Sequence, residues 1–514
     1  MLDGILTGLS AAFTFQAIGL VVLGCLIGSF IGMVPGLGPM QVIAIMIPVA
    51  VGIGDPSVAM IMLAGVYYGA VFGGSTSSIL INAPGVASTV ATSFDGYPMA
   101  RKGFAGKALT IAAISSFAGG TIGAILLTLA AKPLADVALL FQSPEYLAVM
   151  IVGMTAVAAF GERGRAYKAV LMVIFGMILA SIGEGSQFAN RPRFTFGYVP
   201  LQDGISSITL IMGLFAVPEA FFLILDPKRG QYKGDGQSKE INNMRINAQE
   251  AKEMAPVIGR QSILGFLIGV MPGAGATIAS LMGYAMERNI APKAKREEFG
   301  KGSLRGLTAP ETANNAASTG SFVPMLTLGI PGSGTTAILL VALISLGVQP
   351  GPALINDNPD IFWGIIISMY FGNVVLLILN YPLIPYIAKL LAVPRTFLIP
   401  FVLFFSMVGA YLVSQNPTEL YTMIVLGVVT TLLRLAKFPI APIVIGFILG
   451  IRMEDNLGRA LTDPDYTGFS FIWERPMTLV FLLIAAAMLF YPMIEGRLAR
   501  RDRKKARDSQ VNQD

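Results

Sequence analysis

The sequence predicts an all-α polytopic membrane protein, and three observations carry that expectation. The first is composition: of 514 residues, 54% are hydrophobic and only 13% charged, where a soluble domain carries roughly 25% charge. The second is a mean hydropathy of +0.69, spread over many apolar stretches of the roughly 20 residues needed to cross about 30 Å of hydrocarbon. The third is a set of Pro-Gly breaks inside those stretches, which mark interrupted rather than continuous helices.

Taken in order, residues 1–15 are mildly amphipathic and suit an interfacial position. Residues 16–53 form two apolar arms around Pro35-Gly36-Leu37-Gly38-Pro39. Residues 56–90 form a long apolar segment broken at Pro84-Gly85, preceded by Ser75-Thr76-Ser77-Ser78 and Asn82. Further apolar segments follow at 108–131, 145–160, 168–183 and 204–225, the last containing Glu219. A polar stretch, 226–257, carries six Lys and Arg residues and separates two halves. The second half opens with two short arms, 260–286, around Pro272-Gly273-Ala274-Gly275. The stretch 311–347 contains Glu311, Thr312, Asn314 and Asn315, then Pro331-Gly332-Ser333-Gly334-Thr335-Thr336. Later spans fall at 361–388, 397–413, 419–433, 438–451 and 477–494, before a basic tail, 495–514. The total is about 11–12 transmembrane helices with two re-entrant hairpins and two broken helices.

The halves echo each other. IGSFIGMVPGLGP at 27–39 matches LGFLIGVMPGAGA at 264–276, with Gly28, Gly32, Pro35, Gly36 and Gly38 falling on Gly265, Gly269, Pro272, Gly273 and Gly275. Downstream, Pro84-Gly85 parallels Pro331-Gly332. The predicted organisation is a first membrane repeat, 1–225 (hairpin 16–53, broken helix 56–90), a linker, 226–257, and a second repeat, 258–494 (hairpin 260–286, broken helix 311–347). Basic loops at 101–107, 162–168, 226–260, 287–305, 389–395 and 434–437 go to the cytoplasm with the tail; loops 349–360 and 414–418 have no Lys or Arg. The hairpins then enter from opposite sides, an inverted repeat. One similarity opposes this: PEYLAVMIVG at 144–153 resembles TELYTMIVLG at 418–427, yet the span count orients both alike.

Several function classes fall away. The chain has no His, which excludes His relays, His metal ligands and Ser-His or Cys-His catalysis within it. No Gly-rich loop ends in GK[ST], so nucleotide-driven transport by this chain is not expected. Cys25 stands alone and suits a core position. The net charge of +6 is distributed as a topology signal rather than a nucleic-acid surface. No Lys or Arg precedes Arg101, so no cleavable leader is expected. An intramembrane enzyme using Glu311 and Glu219 lacks any supporting motif, and the chain is expected not to be an enzyme.

Chemistry is expected at the Pro-Gly breaks. Helix N-termini offer N–H donors to carboxylates, and unwound carbonyls with nearby hydroxyls are hard donors for Na⁺. The substrate candidates are Ser77, Ser78, Asn82, Thr312, Asn314, Asn315, Thr335 and Thr336. The ion candidates are Gly36, Gly38, Gly85, Gly273, Gly275, Thr277, Gly332 and Gly334. Against each hydroxyl stands the bland reading that it bonds its own helix. Glu311 is a possible coupling carboxylate; equally, its place after Pro310, at an expected helix start, suits a carboxylate stabilising the helix dipole.

The blocks GMVPGLGP (32–39), STSSILINAPG (75–85), GVMPGAGA (269–276), APETANNAA (309–317) and LTLGIPGSGTTAILL (326–340) resemble the large membrane subunit of the tripartite tricarboxylate transporter family. The resemblance implies a bacterial inner-membrane location and two partners, a small membrane subunit and a periplasmic solute-binding protein. It also implies cation-driven symport of citrate-like tricarboxylates or other organic anions, commonly with sodium and with no further cofactor. The alternative is a self-sufficient carboxylate carrier. The hairpin-plus-broken-helix pattern is similar to elevator-type carriers at the level of fold alone.

Overall fold

The computed structural model describes residues 2–34, 37–159, 166–183, 192–225, 241, 243–387 and 416–490, with fragments at 403–404, 407–408 and 411. The basic tail and most of the expected span 397–413 lie outside the described residues. Among them there is no β-strand, only an isolated bridge between Gly183 and Arg193. Five described helices are long and apolar enough to cross a membrane, and shorter apolar helices accompany them. The all-α polytopic expectation holds.

The chain divides into two compact units, one of residues 1–139 and 206–432, the other of 140–205 and 433–514. In the larger unit, α1 (Leu2–Ala12) is followed by α2 (Phe15–Gly32), capped by Thr14 accepting from Ala17 N–H. Next come α3 (Pro39–Ile53) and α4 (Pro56–Ile81), the latter capped by Asp55 with Pro56 in its first turn. A pre-set proline φ and an Asp cap define that start sharply. Asn82 ends α4 in the left-handed conformation, at φ 52°. A short 3₁₀ turn, Ala87–Thr89, then leads into α5 (Val90–Arg101) and α6 (Ala105–Ala138).

The smaller unit contributes α7 (Ser143–Ala159) and α8 (Ala166–Ala180), packed with a helix over Ala441–Thr462. Within that unit Arg475 makes a two-pronged ion pair with buried Glu145, at 2.7 and 3.0 Å. The similar segments at 144–153 and 418–427 fall in different units.

The larger unit resumes with α9 (Ser207–Ile211), a π-helical turn over Met212–Ala216, and α10 (Val217–Leu225), with Glu219 buried on α10. Then follow α11 (Ala248–Val270), α12 (Gly275–Ile290), α13 (Lys293–Arg296), α14 (Leu304–Gly320), α15 (Phe322–Leu328) and α16 (Gly334–Ser345). The helices α17 (Leu354–Asp357), α18 (Pro359–Asn380) and α19 (Ile384–Ile387) complete the run before a helix over Pro417–Leu435.

The sequence echo is a packing echo. Gly28 and Gly32 of α2 lie against the carbonyls of Val66 and Ala70 on α4; a Cβ on either would come within 2.3 Å. Gly265 and Gly269 of α11 lie the same way against the carbonyls of Ala313 and Ala317 on α14, where a Cβ would come within 2.3 and 2.2 Å. Glycine permits this backbone-to-backbone approach, the small-residue device of membrane helices. The helix after each broken segment is then exchanged: α6 packs on α14, and α18 packs on α4. The second hairpin arms cross over as well, α3 against α16 and α12 against the 87–89 turn and α5. As a result α4, although apolar enough to face lipid, is enclosed by protein along its whole membrane-length window. Lipid-type surface falls elsewhere, at exposed Leu23 and Leu26, Ile125 and Leu129, Ile263 and Leu267, and Val374 and Ile378.

Candidate functional site

Glu311 does not sit at a helix start. The helix begins at Leu304, where Ser303 accepts from Gly306 N–H, and Pro310 is accommodated inside it. Glu311 is therefore two turns in and fully buried, so the helix-dipole reading fails. Its side-chain partners among the described residues are three neutral hydroxyls. Ser75 of α4 and Ser116 of α6 donate to Oε2 at 2.8 and 2.7 Å, and Thr92 of α5 donates to Oε1. Exchange packing explains the convergence, since it brings α4, α5 and α6 against α14. Thr92 and Ser116 were not singled out from the sequence. Their signal was present: polar residues in or beside long apolar runs, which in a bilayer carry a functional presumption.

The amides lie one turn further along α14. Asn315 donates through Nδ2 to the Glu311 carbonyl at 3.0 Å and to Asn314 Oδ1 at 2.7 Å. Asn314 Nδ2 donates to the carbonyl of Ser88 at 3.3 Å, reaching the turn after the first Pro-Gly break. Both amides are buried. Several hydroxyls follow the bland reading. Thr312 donates to the Thr308 carbonyl and Ser77 to that of Gly74. Ser78 bonds both the Gly74 carbonyl and Thr89. Asn82 is exposed and closes α4.

The second hairpin tip meets the second break directly. Gly273 takes φ +80° and Gly275 φ +62°, left-handed values that glycine adopts without steric cost. Gly273 N–H donates to the Gly332 carbonyl at 3.0 Å. Ser333 caps α16, accepting from Thr336 N–H at 3.2 Å while Thr336 Oγ1 accepts from Ser333 N–H at 2.8 Å. Thr336 thus serves as a cap partner, and Thr335 is buried beside it. At the start of α12, Ala274 supplies no side-chain cap, and Thr277 in the first turn is partly exposed. In the first half, Gly38 N–H is taken by Gln41 Oε1 at 3.0 Å. Gly85 presses on the Gly32 carbonyl, and Gly36 lies outside the described residues. In the second half the two glycine turns pack against one another, and Gly334 opens α16.

One further residue outside the sequence expectations holds the site in place. Asp95 of α5 is fully buried and accepts from the N–H groups of Gly302 and Ser303, both at 2.7 Å, and from Tyr284 Oη at 3.0 Å. It ties the entrance of α14 and the second arm of the second hairpin to the first repeat.

The tripartite tricarboxylate transporter TctA family matches residues 18–445. An uncharacterized 52.8 kDa protein in the TAR-I ttuC' 3' region of Agrobacterium vitis is 37% identical over 503 residues, 98% of each chain. An uncharacterized protein in the TAR-II ttuC' 3' region of the same organism is 43% identical over 198 residues, covering 38% of this chain and 81% of the relative. No solved structure matches. With its duplicated Pro-Gly modules inside the matched region, the chain belongs to the tripartite tricarboxylate transporter TctA family.

Proposed function

We propose that this chain is the large membrane subunit of a binding-protein-dependent secondary transporter. It imports tricarboxylates or related organic anions down a cation gradient, with Na⁺ as the coupling ion. Its partners are a small membrane subunit and a periplasmic solute-binding protein in a bacterial inner membrane, and its C-terminus is cytoplasmic. The observation that carries the reading is the meeting of the second hairpin tip with the second break, through Gly273 N–H and the Gly332 carbonyl. The N-termini of α12 and α16 begin there, and N–H groups at helix starts favour carboxylates. On this reading Asn314 and Asn315 of α14 and Thr336 of α16 exchange their present intramolecular partners for the substrate's carboxylates, with Thr335 beside them.

Uptake of labelled citrate into proteoliposomes containing this chain and its small partner tests the proposal. Uptake that needs both an inward Na⁺ gradient and the binding protein supports it. Na⁺-driven uptake without the binding protein supports the self-sufficient carrier instead. Failure across a panel of di- and tricarboxylates, with the complex shown to be folded, overturns the substrate class.

A further inference from the structure

We infer that the Glu311 hydroxyl cage is a binding site for a desolvated monovalent metal cation of sodium size, separate from the Pro-Gly turns. The argument starts from charge. A carboxylate in low-dielectric surroundings is costly unless a counter-charge or strong donors compensate it. Among the described residues, the Glu311 carboxylate meets only neutral hydroxyls, from Ser75, Thr92 and Ser116.

A second, independent observation points to what completes the site. Ser75 and Ser116, the two donors to Oε2, also line a small cavity whose wall includes Asn380 at the end of α18. Asn380 is 5% exposed. Its Nδ2 donates to the Leu376 carbonyl, but its Oδ1 has no hydrogen-bond partner among the described residues. Asn380 Oδ1 is an unsatisfied acceptor on the wall of the cavity that two of the Glu311 donors also line; amide and carboxylate oxygens are both acceptors, and neither can satisfy the other. A cation satisfies both.

The donor set selects the class of cation. Carboxylate, hydroxyl and amide oxygens are hard ligands, and the cage contains no nitrogen or sulfur donor. One negative charge is balanced by one positive charge, whereas a divalent ion leaves a net charge in the membrane interior. Ser75 can release its hydrogen bond to Glu311 without stranding its proton, because the Val71 carbonyl lies 3.4 Å away as a second acceptor.

The site also offers a route to coupling, and this part rests on the transport reading. The Glu311 carbonyl accepts from Asn315, which is bonded to Asn314, and Asn314 reaches Ser88 beyond the first break. Cation occupancy therefore bears on the amides placed at the anion site.

The test is thermal unfolding of the purified full chain in NaCl against KCl and choline chloride at equal ionic strength. A ligand that binds only the folded state raises the unfolding temperature with its concentration. Wild type is expected to show a saturable, Na⁺-specific rise, and Glu311→Gln to lose it. Asn380→Ala, which removes the orphaned oxygen and keeps the carboxylate, is expected to raise the half-saturating Na⁺ concentration roughly ten- to a hundredfold. Absence of a Na⁺-specific rise in wild type overturns the inference, as does an unchanged half-saturation in both variants. A Glu311-dependent rise without any carboxylate uptake leaves the cation site standing and removes the transport reading instead.

Discussion

At the scale of single residues, the site is a matter of which polar atoms are already spoken for. Ser77, Ser78 and Thr312 return their protons to their own helices or to a neighbouring hydroxyl, as short hydroxyl side chains do in apolar surroundings. Asn314 bridges two repeats with one amide, so its loss removes a link that no backbone bond replaces. Asn314→Ala is expected to abolish carboxylate uptake while the protein still elutes as a folded complex; retained uptake removes Asn314 from the site. Thr336→Ala has two effects. It deletes half of the reciprocal cap on α16, about 1 kcal/mol, and it should also abolish uptake. Thr336→Ser keeps the capping oxygen and is expected to recover most of the activity, which a transport comparison of the two variants checks. Glu311 was legible as an ionisable group in a span, but its environment was not. Pro310 suggested a helix start, whereas the cap that starts the helix is Ser303, seven residues earlier.

Between elements, close backbone contact and buried carboxylates do the joining. Gly269 lies so near the Ala317 carbonyl that a Cβ would come within 2.2 Å. Gly269→Val should prevent α11 from seating on α14 and reduce folded yield sharply, measured as the monodisperse fraction after solubilisation. Asp95 holds the entrance of α14 with three donors. Asp95→Ala leaves the buried Ser303 N–H and the partly buried Gly302 and Tyr284 donors without their acceptor and is expected to cost about 2–3 kcal/mol of stability. A third joint lies outside the spans, where Lys107 meets Glu250 at 2.7 Å in the first turn of α11. Burial pushes the Glu250 carboxyl up, but the hydrogen bonds from Lys107 and Asn247 and the Lys107 charge outweigh it, leaving the carboxyl below its ordinary value. A folded-state value below the unfolded one means stability that is present above the unfolded value and lost as pH falls through the folded one. The stability gap between wild type and Lys107→Met should therefore shrink as unfolding is measured at progressively acid pH below the ordinary Glu range. A gap constant with pH removes the pair from the stability of this joint.

Across the whole molecule, the duplication is structural but the chemistry is not duplicated. The close contacts align Val66 with Ala313 and Ala70 with Ala317, and the same offset aligns Pro84 with Pro331. That offset sets Ala64 opposite Glu311. The carboxylate cage is consequently built once, in α14, from hydroxyls that the other repeat supplies. Orientation is testable at this scale. On a Cys25→Ser background, Asn356→Cys in the loop without Lys or Arg should react with a membrane-impermeant thiol reagent added outside intact cells. Lys301→Cys, in the basic loop, should react only after the inner face is opened. The reverse pattern inverts the topology.

The class of the protein is readable without coordinates, because low charge and span-length apolar runs leave water no role as the solvent of most helices. So are the two Pro-Gly modules and their pairing, since glycines at fixed spacing are local and need no partner to be read. Composition cannot say which helices touch. It takes the folded arrangement to show that α6 and α18 change places between repeats, and that α4 is buried in protein although its hydropathy suits lipid. The same arrangement shows that Thr92 and Ser116, far apart in the chain, meet Glu311. Those contacts depend on long-range packing of glycine faces, whose partners lie well over a hundred residues away for α14 and α6 and leave no periodic signal in either strand of sequence.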